Sequence, residues 1–193
     1  LRFVLRSHGI ISRLRGGLET LMARATDLKV VTANIQSVHM AILEGEEEIF
    51  LTQEERLEER FNAIPLYIRP KSFFQTNTAA AERLYETVAA YAELSGGDTV
   101  LDLYCGTGTI PIFLSSRAGF ITGIEMSPSA VLDAETNCRD NGIDNCRFIQ
   151  GDARHMLGKI GAVPDVVVLD PPRSGMHEDV VKGVLDLSPR RIV

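Results

Sequence analysis

Four carboxylates and two glycines sit where chemistry could be done. The stretch VLDLYCGTGTI, residues 100–110, begins as a buried strand and dissolves into glycine. Asp102 interrupts its apolar run, and Gly106 and Gly108 end it. A core strand has no use for an acid, whereas glycines let backbone approach a ligand without a Cβ in the way. Glu125 ends the next apolar run, FITGIE, 17 residues after Gly108. Asp152 closes a third run in QGDA, and Asp170 a fourth in LDPPRSG. Any one of these acids could simply cap a helix. Four in register at successive strand ends read as one site. The acid at the second strand end can accept from both hydroxyls of a ribose. The acid at the third lies where it could accept from the exocyclic amine of an adenine. A cluster of carboxylates suits a pyrophosphate poorly and suits a nucleoside with a cationic end. The dinucleotide fingerprint G-x-G-x-x-G/A also fails, because Pro111 stands at its third glycine.

The elements that must position these residues can be read from periodicity. From Ser72 onward the rhythm is helix, strand, helix, strand. A long helix is expected over 76–94, ended by LSGG, with Asn77 or Thr78 as its cap. Strands are expected at 98–104, 120–125, 145–150 and 164–170, with a fifth starting at 190. Helices fall near 109–117, 128–141 and 177–187, the second with Ser127 as cap and Pro128 in its first turn. Alternating strands and helices with short connections predict a parallel sheet covered on both faces, an α/β, Rossmann-like fold. Residues 1–70 read differently, as a small α+β domain in front of the 71–193 unit. LRFVLRS, LKVVTANIQSV and IPLYIRP read as strands, GGLETLMARA as a helix, and AILEGEEEIFLT as a hairpin around Glu44–Gly45.

Composition narrows the class. The chain has 193 residues, 45% hydrophobic and 24% charged, as soluble globular proteins do. No apolar run approaches the roughly 18 residues of a membrane span, and the first residues do not form a signal peptide. Cys105, Cys138 and Cys146 have no metal-ligand spacing, and their odd number argues against a disulfide framework. A reducing, cytoplasmic setting with no metal and no membrane is the expectation. The net charge of −6 is unusual for a nucleic-acid binder. It is unevenly placed: Arg2, Arg6, Arg13, Arg15, Arg24 and Lys29 could face phosphate, while the acidic run at 44–60 reads as a solvated loop or helix face. The chain opens on Leu1 rather than Met and closes on PRRIV, which resembles the opening of a strand, so a portion of a longer protein is expected.

The pattern D-x-x-C-G-x-G, Asp102 to Gly108, resembles the first motif of class I methyltransferases, which implies S-adenosylmethionine as cofactor. KSFFQTNTAAAERLY, DLYCGTG, GIEMSPSAVLDAETN, NGIDNCRFIQGDA and VVLDPPRSG together, in order, resemble the RNA uracil-5-methyltransferase family over about residues 30–193. The resemblance implies methylation of C5 of a uridine in RNA, with ribosomal RNA, most specifically 23S, ahead of transfer RNA. It implies that Gln75 of the Phe-Phe-Gln motif and Tyr104 of the glycine loop contact the cofactor, beside Asp102 and Gly106. Thr109 falls where several members carry a cofactor-contacting Asn; Glu125 matches the ribose acid, Asp152 the adenine-side polar residue, and Asp170 the acid of the Asp-Pro-Pro-Arg motif. The family chemistry uses a cysteine that adds to uracil C6, placed after the fifth strand, and a Glu base beyond it. Both are expected past Val193, so no catalytic residue is assigned in this chain and the fragment alone is expected to bind cofactor without methylating. An N-terminal RNA-binding domain and iron–sulfur cysteines, where members have them, are likewise outside it. The competing readings are an amino-methyltransferase, whose motif places an aromatic where Arg173 stands, and a non-catalytic cofactor- or RNA-binding module.

Overall fold

The structure, a computed structural model, describes residues 1–37 and 45–193, in two compact units, Leu1–Leu57 and Glu58–Val193. In the first unit β1 (Arg2–Leu5) leads through α1 (Ile11–Arg24) to β2 (Thr32–Ile35), which pairs parallel to it. β3 (Glu47–Phe50) returns antiparallel to β2, so the sheet order is β1-β2-β3. Val30, Val31 and Ala33 are buried, and Leu14, Leu18 and Leu21 of α1 line a small recess with Phe3, Val31 and Leu51. The buried Asn34 side chain donates to the carbonyls of Gly45 and Glu47 and accepts from the Gly45 N–H. Glu44 lies outside the described residues, so a turn centred on Glu44–Gly45 is not described. Arg2 does not stand free for phosphate, because it pairs with Glu48.

The second unit starts earlier than residue 70. β4 (Leu57–Phe61) and β5 (Ile64–Ile68) form a two-stranded sheet that belongs with it. The cause is apolar: Phe61 and Leu66 are buried in one cluster with Ala81, Tyr85 and Ala89. Phe61 stacks on Tyr85 at 5.4 Å and meets Phe74 edge-on at 5.1 Å. The acidic run at 44–60 is therefore not a loop or helix face throughout, since it supplies β3 and most of β4.

α2 (Thr78–Ala92) is capped by Asn77, whose side chain accepts from the Ala80 N–H. β6 (Thr99–Leu103), α3 (Thr109–Leu114), β7 (Phe120–Glu125), α4 (Pro128–Asp140), β8 (Cys146–Gln150), α5 (Ala153–Met156), β9 (Val166–Leu169), α6 (Glu178–Leu187) and β10 (Arg191–Ile192) follow. The five strands are all parallel, in the order β10-β9-β6-β7-β8. The strands alternate their side chains between two buried layers. Val100, Ile121, Val166 and Val168 pack in the layer that holds α2, α3 and the hairpin. Leu101, Leu103, Ile124 and Val167 pack against α5 and α6 through Ala153, Val180 and Val184. Burial on both faces explains why these strands read as continuous apolar runs. No helix among the described residues is long and apolar enough to cross a membrane.

Candidate functional site

The carboxyl ends of β6, β7, β8 and β9 open into one cleft of about 800 Å³. Gln75, Tyr104, Gly106, Glu125, Asp152 and Asp170 all line it. A smaller recess of about 50 Å³ shares Gln75, Tyr104, Gly106 and Asp170 and adds Thr109, Thr107 and Tyr85. Seven of the eight residues singled out from sequence thus line connected space. The eighth, Asp102, lies beneath it.

The glycine loop leaves β6 by a sharp turn. Tyr104 takes φ +71°, and its N–H and that of Cys105 both donate to the Ile124 carbonyl. Gly108, at φ +77°, precedes α3. A Cβ there would lie 2.8 Å from Ala134 Cβ and 2.9 Å from the Phe148 ring, so only glycine lets the loop rest on α4 and β8. Glu125 fixes the loop from the side: Oε2 accepts from the Gly106 N–H at 3.1 Å and Oε1 from the Ser127 N–H at 2.7 Å. About two of its four lone-pair positions remain for another donor.

Asp102 makes no hydrogen bond to the loop that follows it. It is 1% exposed, and neither carboxylate oxygen has a hydrogen-bond partner. Burial pushes its pKa well above the usual carboxylate range, and the nearby Asp170 and Glu125 charges push it the same way. The Tyr85 hydroxyl, on α2, is pushed up to about 12 by burial and by Asp170 and Asp102. Sequence reasoning missed Tyr85, whose only signal was an aromatic on the inner face of α2. Nearly every buried polar group finds a partner in a folded protein. Two orphaned oxygens under a ligand-sized cleft, ringed by further acids, mark a place for a cation.

Asp152 is held differently. Its carboxylate caps α5 by accepting from the Arg154 N–H at 2.9 Å, and it is clamped by the Arg154 guanidinium, with Nε 3.0 Å from each oxygen and Nη2 2.5 Å from Oδ2. Arg154 holds the Asp152 pKa down to about 2. The sequence reading offered cap and adenine acceptor as alternatives, and the cap is present. The rim carries two exposed apolar side chains that the sequence reading did not single out as contacts, Phe73 at 73% and Met126 at 69%. Among the described residues no group of three or more His, Cys, Asp or Glu side chains could hold a metal ion.

A family model described as a methyltransferase domain matches residues 94–186. The 23S rRNA (uracil(747)-C(5))-methyltransferase RlmC of Shewanella baltica strain OS195 is 43% identical over 195 residues, covering all of this chain and 50% of that protein. RlmC of Vibrio cholerae is 41% identical over 193 residues, covering all of this chain and 52% of that protein. The chain thus spans about half the length of the curated relatives it matches. The crystal structure of the Pyrococcus abyssi tRNA (uracil-54, C5)-methyltransferase in complex with S-adenosyl-L-homocysteine matches with a TM-score of 0.73 and 28% identity, over 89% of this chain and 42% of that one. The curated relatives are thus 23S rRNA uracil-C5-methyltransferases, 41–43% identical to this chain from end to end, and the methyltransferase-domain match falls on the part that carries β6 to β9 of the five-stranded parallel sheet.

Proposed function

We propose that the protein containing this chain methylates C5 of a uridine in RNA with S-adenosylmethionine, and that its substrate is ribosomal RNA rather than transfer RNA. The observation that carries the cofactor is the unpartnered, buried Asp102 carboxylate beneath a cleft lined by Asp170 and Glu125. S-adenosylmethionine fits that demand because it brings two positive groups on one nucleoside, and its sulfonium supplies an electrophilic methyl. Asp102 and Asp170 would face the cationic end. Glu125 keeps acceptor positions for ribose hydroxyls beyond those used by the Gly106 and Ser127 N–H groups. Tyr104 and Gln75 would close the cleft around the nucleoside. The RNA substrate rests on the two RlmC relatives, both named for 23S rRNA.

Uracil C5 is a poor nucleophile until a thiolate adds at C6. Cys105 is not that thiolate: burial pushes its thiol well up, and Asp102 and Glu125 add to the effect. Cys138 and Cys146 do not line the cleft. The adding cysteine is therefore sought elsewhere in the protein. The test is to incubate the full-length protein with unmodified ribosomal RNA carrying tritium at uridine C5. Tritium release to water that depends on S-adenosylmethionine is the expected result. Methyl incorporation without tritium release would overturn the C5 assignment, and release only from transfer RNA would overturn the ribosomal one.

A further inference from the structure

Arg154 takes no part in the function proposed so far, yet it clamps Asp152, the acid read as adenine-side. Three of its N–H groups, the backbone N–H, Nε and Nη2, all donate to Asp152. A carboxylate offers about four lone-pair positions, so about one is left. The fork geometry of a guanidinium fixes the plane of the carboxylate as well as its charge. The charge of Asp179 on α6 adds a weaker attraction for Arg154. The Asp152 side chain is 27% exposed on the cleft wall and that of Arg154 is 42% exposed, so a released carboxylate would be free to turn and hydrate.

We propose that Arg154 is a positioning residue that sets purine specificity: it locks Asp152 so that one acceptor position faces the ring edge, which favours a 6-aminopurine and penalises a 6-oxopurine. The inference rests on the cofactor reading above. A 6-amino group donates to the remaining lone pair. A 6-oxo group meets a carboxylate that cannot rotate aside or interpose water, and the two acceptors repel. Without the guanidinium, Asp152 keeps only the residue-154 backbone N–H on Oδ1, so its plane is no longer fixed and Oδ2 can turn toward solvent; the amine loses its fixed acceptor and the carbonyl loses its clash.

The test measures binding of S-adenosylhomocysteine and S-inosylhomocysteine to the full-length protein and to its Arg154→Gln, Arg154→Lys and Asp152→Asn variants. Wild type is expected to prefer the adenosyl compound by about tenfold or more, the scale of one hydrogen bond to a charged group. Arg154→Gln is expected to cut that ratio at least threefold, with S-inosylhomocysteine binding unchanged or tighter. Arg154→Lys, a charge without the fork, falls between. Asp152→Asn abolishes the preference, because an amide can donate to a 6-oxo group. Equal weakening of both compounds in Arg154→Gln would be a merely structural effect and overturns the inference. So does a ratio that stays constant or rises, and so does an Asp152→Asn variant that keeps the wild-type ratio. If neither compound binds wild type, the cofactor reading itself fails and this inference falls with it.

Discussion

Asp102 and Asp133 are equally buried, each 1% exposed, and they could hardly be treated more differently. Asp133, on α4, accepts from the Arg69 N–H at 3.1 Å and the Ser72 hydroxyl at 2.5 Å, and pairs with the Arg69 guanidinium. Asp102, on β6, accepts from nothing. Burying a charge is costly unless it is paired and hydrogen-bonded. Asp133 meets that demand inside the chain; Asp102 leaves it open. The first is therefore a structural acid, and the second fits the ligand role proposed for it. The neighbours of Asp133 show what the structural one does. Asn137, one helical turn on, exchanges hydrogen bonds with the Tyr67 backbone at 2.7 and 3.1 Å, and Asn141, the next turn, donates to the Pro65 carbonyl. This polar seam on α4 fastens β5, and just beyond it the segment carrying Phe73 and Gln75 enters the cleft.

The comparison breaks if the two acids respond alike to truncation. Asp133→Ala leaves a half-buried guanidinium, a hydroxyl and a backbone N–H without their acceptor. Removing one partner of a buried ion pair costs roughly 3–5 kcal/mol, and with Arg69 partly exposed about 3 kcal/mol is expected from urea unfolding of the full-length protein. Asp102→Asn removes no protein contact. It is expected to leave the unliganded protein as stable or more so, while weakening binding of S-adenosylmethionine by roughly 30-fold or more, about 2 kcal/mol, as loss of a buried charge partner does. Isothermal titration reads the second effect. An Asp102→Asn protein that unfolds easily yet binds normally would reverse the two assignments.

The two acids also divide what the sequence could and could not tell. Asp102 was legible because it interrupts an apolar strand just before a glycine loop, a violation that periodicity exposes at once. The parallel sheet was legible for the same reason, since both faces are buried and each strand is a short apolar run between turn signals. Asp133 was not singled out, because it sits at an ordinary helical position and its partners lie 64 and 61 residues away. β4 was hidden by its composition: LEERF sets three charged residues, Glu58, Glu59 and Arg60, in a row, and only Phe61 is buried. Its pairing with β5 moves the unit boundary from residue 70 to Leu57. The bracing of Gly106 by Glu125, and of Asp152 by Arg154, depends on side-chain rotamers that a strand-end pattern does not encode.

The smallest effect sharpens the comparison by its sign. The folded-state pKa of Asp102 is raised, so between the ordinary carboxylate range and that raised value the folded state holds a proton the unfolded chain has released. Stability of the unliganded protein therefore falls as pH rises through this window, by at most about 1.4 kcal/mol per pH unit. Asp152 has the opposite sign. Its pKa is held near 2 by Arg154, so its contribution is present above the ordinary carboxylate range and is lost as pH falls toward 2, weakened by exposure to solvent. Urea unfolding of wild type and Asp102→Asn across pH should give curves that converge at the acid end and separate upward, with the variant the more stable. Saturating S-adenosylhomocysteine should bring wild type back toward or above the variant, because its ammonium supplies the cation Asp102 lacks. Parallel curves at all pH values would mean that Asp102 titrates normally in the folded protein, and that its isolation is not what draws the cofactor.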